Sequence, residues 1–251
     1  MSPIARKLKF ISNRIEEDAL KVTYDPAENS GSVIYNISLI KSEDLEHAID
    51  IFNETYHAGL CLGERVSFAA EGSIFGEFEI PRGHTGIITI CSLTFDALLY
   101  KKGIPLNPIG GGLVEVKDMI PRRFTAMIRY EYTTIDPISV MISYGSTSVL
   151  GVAHKGNGTI TANLRECHME AEPGIFEILD EMNEAGFSGV LEVGVPNIPV
   201  LGMPVTPNYT GIAMVGGTNP AAAIMETGRW IEINSMKGLI DISRIGYLHD
   251  Y

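Results

Sequence analysis

The chain has 251 residues, 45% of them apolar, and a formal net charge of −12. That length and apolar share allow a sizeable core, while the charge opposes phosphate backbones, whose binding rests on Lys and Arg displacing counterions. No apolar run approaches the ~18 residues that span a bilayer, and Arg6, Lys7 and Lys9 precede no apolar signal core, so the chain reads as cytoplasmic.

Residues 1–30 are read as an N-terminal segment and 31–118 as the first of two repeats. Val33 to Ile40 predicts a strand, and Ser42 caps a helix with Glu43 and Asp44 against its dipole. Leu45, Ile49, Phe52 and Tyr56 give that helix an apolar stripe, and Gly59 ends it. Short strands follow at Arg65–Phe68 and Phe75–Ile80, turning at Glu71-Gly72-Ser73, then a strand from Thr85 to Ile90 reaches a polar corner at Cys91-Ser92. A helix over Phe95–Tyr100 stops before Gly103, Gly110-Gly111-Gly112 reads either as a flexible entry or as a ligand-touching loop, and Leu113–Val116 closes the repeat. Residues 119–150 connect the repeats through a strand over Arg122–Tyr132, a breaker at Ile135-Asp136-Pro137 and a polar turn at Tyr144–Ser148.

Residues 151–251 repeat the order: a strand at Ile160–Leu164, a helix over Pro173–Ala185, strands through Val190–Val193 and Ile212–Val215, a helix after Asn219-Pro220, and a strand at Leu239–Ile242. The correspondence is one of phrases as well as elements. Thr85-Gly86-Ile87 returns as Thr210-Gly211-Ile212 at an offset of 125, Gly112–Val116 as Gly238–Ile242 at 126, and Ala48–Gly59 as Ile175–Gly186 at 127. The predicted fold is α+β, an internally duplicated, pseudo-twofold layered unit of about βαββαβ per copy, with mixed sheets and helices on one face.

The sharpest local signal is Val215-Gly216-Gly217-Thr218-Asn219-Pro220. A strand stops, two glycines allow close approach, Asn219 is a favoured N-cap and Pro220 a favoured first helical residue. Free N–H groups at such a helix start bind carboxylate or phosphate; the glycines equally suit tight helix–sheet packing. The matching corner, Cys91-Ser92-Leu93-Thr94, puts Thr94 at the cap and offers Ser92 and Thr94 as hydroxyl donors. Cys91 reads as a buried, inert thiol or, at a helix start, as a reactive one. If the two corners meet, two helix ends point into one cleft, which suits a molecule with a carboxylate at each end. His84 is the histidine nearest a corner, and Arg122, Arg123 and Arg129 form a basic cluster able to clamp a carboxylate or to make surface ion pairs. Cys61, Cys91 and Cys167 are odd in number and far apart, which reads as reduced thiols; Cys167-His168 lacks zinc spacing and no metal is expected.

In its phrases Thr85–Thr94, Gly103-Ile104-Pro105, Gly111–Glu115, Thr134–Pro137 and Gly211–Pro220, the chain resembles the regulatory domain of NrpR, an archaeal repressor of nitrogen-assimilation genes, from about Phe10 to Tyr247. The resemblance implies a non-catalytic sensor that binds 2-oxoglutarate as effector, with no cofactor, and forms homodimers. It implies ligand contacts at Cys91, Ser92, Thr94, Gly216, Gly217, Thr218 and Asn219; by position and charge, His84, Gly111, Arg122 and Arg123 are further candidates. Family repressors carry a winged helix-turn-helix that the residues before Phe10 are too few to form, so DNA contact is expected only through a segment or subunit absent from this chain. Two other functions stay open: an enzyme on a small carboxylate using Cys91, and a protein-binding dimerisation scaffold.

Overall fold

Each repeat lends its closing strand to the other repeat's sheet. In the computed structural model, which describes residues 9–251, the elements run α1 (Ile11–Ala19), β1 (Ser32–Lys41), α2 (Leu45–His57), β2 (Val66–Ala69), β3 (Ile74–Phe75), β4 (Phe78–Glu79), β5 (His84–Ile90), α3 (Leu93–Lys101) and β6 (Asn107–Lys117). They continue with β7 (Ile120–Arg129), α4 (Pro137–Ser143), α5 (Val149–Lys155), β8 (Gly158–His168), α6 (Glu172–Glu184), β9 (Val190–Val193), β10 (Tyr209–Val215), α7 (Asn219–Glu226) and β11 (Ile231–Asp241). Arg6 and Lys7 lie outside the described residues. One of the two large sheets has the order β11-β1-β5-β2 and the other β7-β6-β8-β10-β9, while β3 and β4 form a separate two-stranded sheet. With β7 set aside, the two orders correspond strand for strand, β11 standing beside β1 as β6 stands beside β8. The register matches too: Gly238 pairs with Tyr35 and Gly112 with Ala162, both at the offsets of the sequence phrases.

The α+β layering is as the sequence implies, with two differences. Every ladder is antiparallel rather than mixed, and helices cover both faces of the sheets rather than one. Strand β10 shows why. Thr210–Val215 is buried throughout; Ile212 and Met214 enter a core with α1, α3 and α6, whereas Ala213 and Val215 enter a second core with α2, α4, α5 and α7. A strand buried on both sides reads as a continuous apolar run, which alternation rules place poorly.

Several elements shift from their sequence expectations. The buried stripe of α2 is Ala48, Ile51, Phe52 and Thr55, one step round the helix from the Leu45–Tyr56 stripe. Helix α1 lies within the supposed N-terminal segment and buries Ile11, Ile15 and Ala19, each four residues on and so on one face. Helices α4 and α5 occupy the connecting region around the Tyr144–Ser148 turn. Gly110–Gly112 is neither loop nor entry but the middle of β6, since a Cβ on Gly112 would lie 2.2 Å from the Ala126 carbonyl of β7. Asp118 and Met119, both at positive φ, make the two-residue turn from β6 to β7.

Because β6 and β11 are exchanged, neither sheet is complete without both repeats. The single tryptophan, Trp230, directly precedes β11 and packs against His84 of the first repeat. Urea unfolding followed by Trp230 fluorescence is therefore expected to coincide with unfolding followed by far-ultraviolet circular dichroism. Two separated midpoints would show that the repeats unfold independently despite the exchange.

Candidate functional site

Strands β5 and β10 are the matching inner strands of the two sheets, and each ends in a corner that starts a helix. The corners converge. Cys91, Ser92 and Leu93 from one and Gly217 and Thr218 from the other line a single cleft, with Asn36 of β1, Asn163 of β8, Tyr130, Asp136 and Ile138 before and in α4, Ser235 and Met236 of β11, and Ile15 of α1. Gly217 lies close against the opposite corner, where a Cβ would come 2.8 Å from the Ile90 carbonyl. The Thr89 hydroxyl donates to the Gly217 carbonyl at 3.3 Å. The cleft is narrow and partly open, with about 30 Å³ in which a water's centre can sit, above the ~10–15 Å³ that holds one water.

The sequence candidates divide. Cys91, Ser92, Gly217 and Thr218 lie in the cleft wall. Gly216, Thr94 and Asn219 are engaged in internal bonds. The Gly216 amide donates to the Thr161 carbonyl at 2.8 Å, and a Cβ there would collide with Thr161 Oγ1. Thr94 is not the cap of α3, because its hydroxyl accepts from the Ile34 amide of β1; Ser92 takes the cap position. Asn219 is not the cap of α7 but its first residue, with Thr218 at the cap. Its Oδ1 accepts from the Thr161 amide (2.9 Å) and hydroxyl (2.7 Å), and its Nδ2 donates to the Thr161 carbonyl, so the fully buried amide ties α7 to β8.

The further candidates stand away from the lining. His84 is at the opposite end of β5 from the corner, its ring against Trp230. Arg122 and Arg123 are exposed on β7, with Arg123 paired to Glu115, and Arg129 pairs with Glu131. Gly111 sits behind the wall, against Tyr130 and Ile138. Among the described residues no cluster of three His, Cys, Asp or Glu side chains is arranged to hold a metal.

Electrostatically the cleft has no Lys or Arg in its lining. Its carboxylate, Asp136, caps α4 by accepting from the amides of Ile138 and Ser139 and the Ser139 hydroxyl. Among the described residues the amides of Ser92, Gly217 and Thr218 meet no acceptor. They are orphan donors at the positive ends of α3 and α7. Burial pushes the Cys91 thiol up to about 12, against a smaller pull from the Leu93 amide.

Beneath Ser92 lies a charged pair that pattern reading missed. Asp96 of α3 and Arg165 of β8 are both almost fully buried, with Oδ1 and Nε 2.6 Å apart. This is a contact of charges whose alignment falls short of a hydrogen bond, leaving both Asp96 oxygens and Arg165 Nε and Nη1 unsatisfied. Burial raises the Asp96 carboxyl to about 6 although Arg165 pulls it down. Arg165 Nη2 donates to Asn163 Oδ1 at 2.8 Å, and Asn163 Nδ2 donates to Ser92 Oγ at 2.8 Å. A sequence signal for this site existed: Asn36 and Asn163 differ by 127, the repeat offset, which places them at matching positions of β1 and β8. Replacing Asp96 or Arg165 alone by an apolar residue strands one buried charge and is expected to cost about 3–5 kcal/mol. The double replacement Asp96→Leu with Arg165→Met is expected to be more stable than either single one in denaturant titrations; equal or greater loss in the double variant would refute this account.

Comparisons with known proteins identify the family. A family model described as NrpR regulatory domains NRD1 and 2 matches residues 8–246. Global nitrogen regulator NrpRI of Methanosarcina mazei is 39% identical over 95% of this chain and 73% of its own length. Global nitrogen regulator NrpR of Methanococcus maripaludis is 29% identical over 91% of this chain and 38% of its own length. The crystal structure of a nitrogen repressor-like protein from Methanococcus jannaschii superposes with a TM-score of 0.81 at 28% identity, over 96% of this chain and 99% of that one. The chain belongs to the family of NrpR regulatory domains.

Proposed function

We propose that this domain regulates nitrogen-responsive transcription by binding 2-oxoglutarate in the cleft between the two corners, and relays occupancy to a DNA-binding segment or subunit. The observation that carries the reading is the convergence of two helix starts with unspent amides at Ser92, Gly217 and Thr218. Backbone amides and helix dipoles bind carboxylate without a cationic side chain. Asp136 favours a pose that keeps both carboxylates toward the corners, since its own charge is held at the start of α4. The cleft is narrow, and in this reading a five-carbon diacid enters as the corners part. That parting is the two-state element a sensor needs. The acidic surface leaves DNA to another segment or subunit. The outer edge of β7, with Met119, Ile120 and Ile128 exposed, offers a surface for pairing with a second copy.

Calorimetry of the purified chain is expected to show 2-oxoglutarate binding between micromolar and millimolar dissociation constants. Gly217→Ala, which crowds Ile90, is expected to weaken it at least about tenfold, ~1.4 kcal/mol. Heat indistinguishable from dilution at millimolar effector would remove the reading.

A thiol enzyme is disfavoured by burial, which holds Cys91 near 12 and Cys61 and Cys167 near 11. At pH 8 all three stay protonated in the folded chain. Reaction with an aromatic disulfide reagent is expected to be on the order of a hundredfold slower than in urea. One rapidly reacting thiol mapped to Cys91 would revive the enzyme.

A further inference from the structure

Arginine has donors only, whereas an asparagine side chain has one end that accepts and one that donates. This asymmetry gives the buried bonds beneath the cleft a direction. Arg165 Nη2 lies 2.8 Å from Asn163 Oδ1, so the carbonyl end of Asn163 faces Arg165 and the amino end is left for Ser92 Oγ, also at 2.8 Å. With an N–H arriving from Asn163, Ser92 is an acceptor in that bond and its own proton remains unspent; among the described residues it meets no acceptor. Were the amide turned over, Asn163 would take the Ser92 proton, and the cleft would see only a lone pair.

We propose that Arg165, acting through Asn163, fixes Ser92 as a hydrogen-bond donor to the cleft, so that the site favours a ligand with a carboxylate or carbonyl oxygen there. Asp96 holds the guanidinium in place from α3. Asn163 and Arg165 are positioning residues in this scheme, and the ligand side of it rests on the carboxylate-sensor reading. The same bonds run from β8 to the start of α3, which ties the hydroxyl's polarity to the way the two repeats meet. Asn36, at the matching position of β1, is differently committed. Its Oδ1 accepts from the Met236 amide and its Nδ2 donates to the Ile90 carbonyl and Thr89 hydroxyl, so it closes a strand bulge and sets no ligand donor. The two repeats thus carry one asparagine each with different work, and the polarity resides on the Asn163 side.

The test uses the full chain in two states. In the ligand-free protein, NMR of the Asn163 side-chain amide is expected to show one of its two protons shifted on Ser92→Ala, and both disturbed on Arg165→Met. An amide unmoved by either change overturns the relay whether or not the chain binds 2-oxoglutarate. Calorimetry then supplies the functional arm. Ser92→Ala and Asn163→Asp are each expected to weaken 2-oxoglutarate binding about tenfold, and the double variant no further than either, because both remove the same donor. Losses that multiply in the double variant overturn the relay while leaving the sensor reading standing. Absence of binding by the unaltered chain overturns the sensor reading, and the NMR result alone then decides the relay. Thermal unfolding of each variant separates lost folding from lost polarity, and Asn163→Asp, near-isosteric, serves where Arg165→Met fails to fold.

Discussion

The exchange of closing strands is the constraint on which the rest of the molecule depends. Strand β6 leaves the first repeat to pair with β8, and β11 leaves the second to pair with β1. Two independent layered units would each turn an inner-strand corner toward solvent, where its orphan amides would be hydrated. The exchange instead sets the end of β5 against the end of β10, and the starts of α3 and α7 meet across a narrow gap. Cross-bonds then become possible that neither repeat could make alone, such as Thr89 to Gly217 and Asn163 to Ser92.

The polar groups enclosed by this meeting are costly unless paired. The molecule satisfies most of them internally. Asn219 binds both backbone groups of Thr161, and Asn36 binds three partners around the β11 bulge, where Met236 adopts a positive φ. Arg65 Nε and Thr210 Oγ1 stay unsatisfied elsewhere, but the cleft gathers the amides of Ser92, Gly217 and Thr218 in its wall and the misaligned Asp96–Arg165 pair below it. A buried ion pair is weak evidence of stability, since desolvation offsets much of the attraction. Its service here is orientation, because a guanidinium fixes the sense of an amide that a neutral partner would leave free to turn.

Legibility in the sequence follows the same physics. Strand–helix order and the corners were readable because glycine, proline and β-branched residues act locally, as at Val215–Pro220. Phrase repetition gave the correspondence of the two halves but not the exchange, since offsets say which strands match and nothing about which sheet receives them. Cap positions failed by one or two residues where a tertiary bond outbid the local one: Thr94 bonds Ile34, and Asn219 bonds Thr161. Helix α1 is hard to read locally because its stripe, Ile11, Ile15 and Ala19, is interrupted by charged residues that lie on its outer face. Arg165 and Asp96 were invisible for a different reason. Alternation on β8 assigns Thr161, Asn163 and Arg165 to a polar face, and polar faces are ordinarily solvated, whereas here the face is covered by the other repeat's helix.

The narrowness of the cleft bears on how such a site can signal. A pocket already shaped for its ligand gains affinity without needing to move, whereas in the proposed sensor this narrow, partly open cleft would couple entry to separation of the corners. Two bonds cross directly from corner to facing repeat, Thr89 to Gly217 and Asn163 to Ser92. At a net 0.5–1.5 kcal/mol for a typical hydrogen bond, breaking both costs about 1–3 kcal/mol. That lies in the range of coupling free energies found between allosteric sites. A ligand that replaces these bonds with its own oxygens recovers the cost in the open state and not in the closed one, which is the differential affinity that shifts a population. Strands β6 and β11 pair each repeat with the other's sheet, so a parting of the corners would load both sheets.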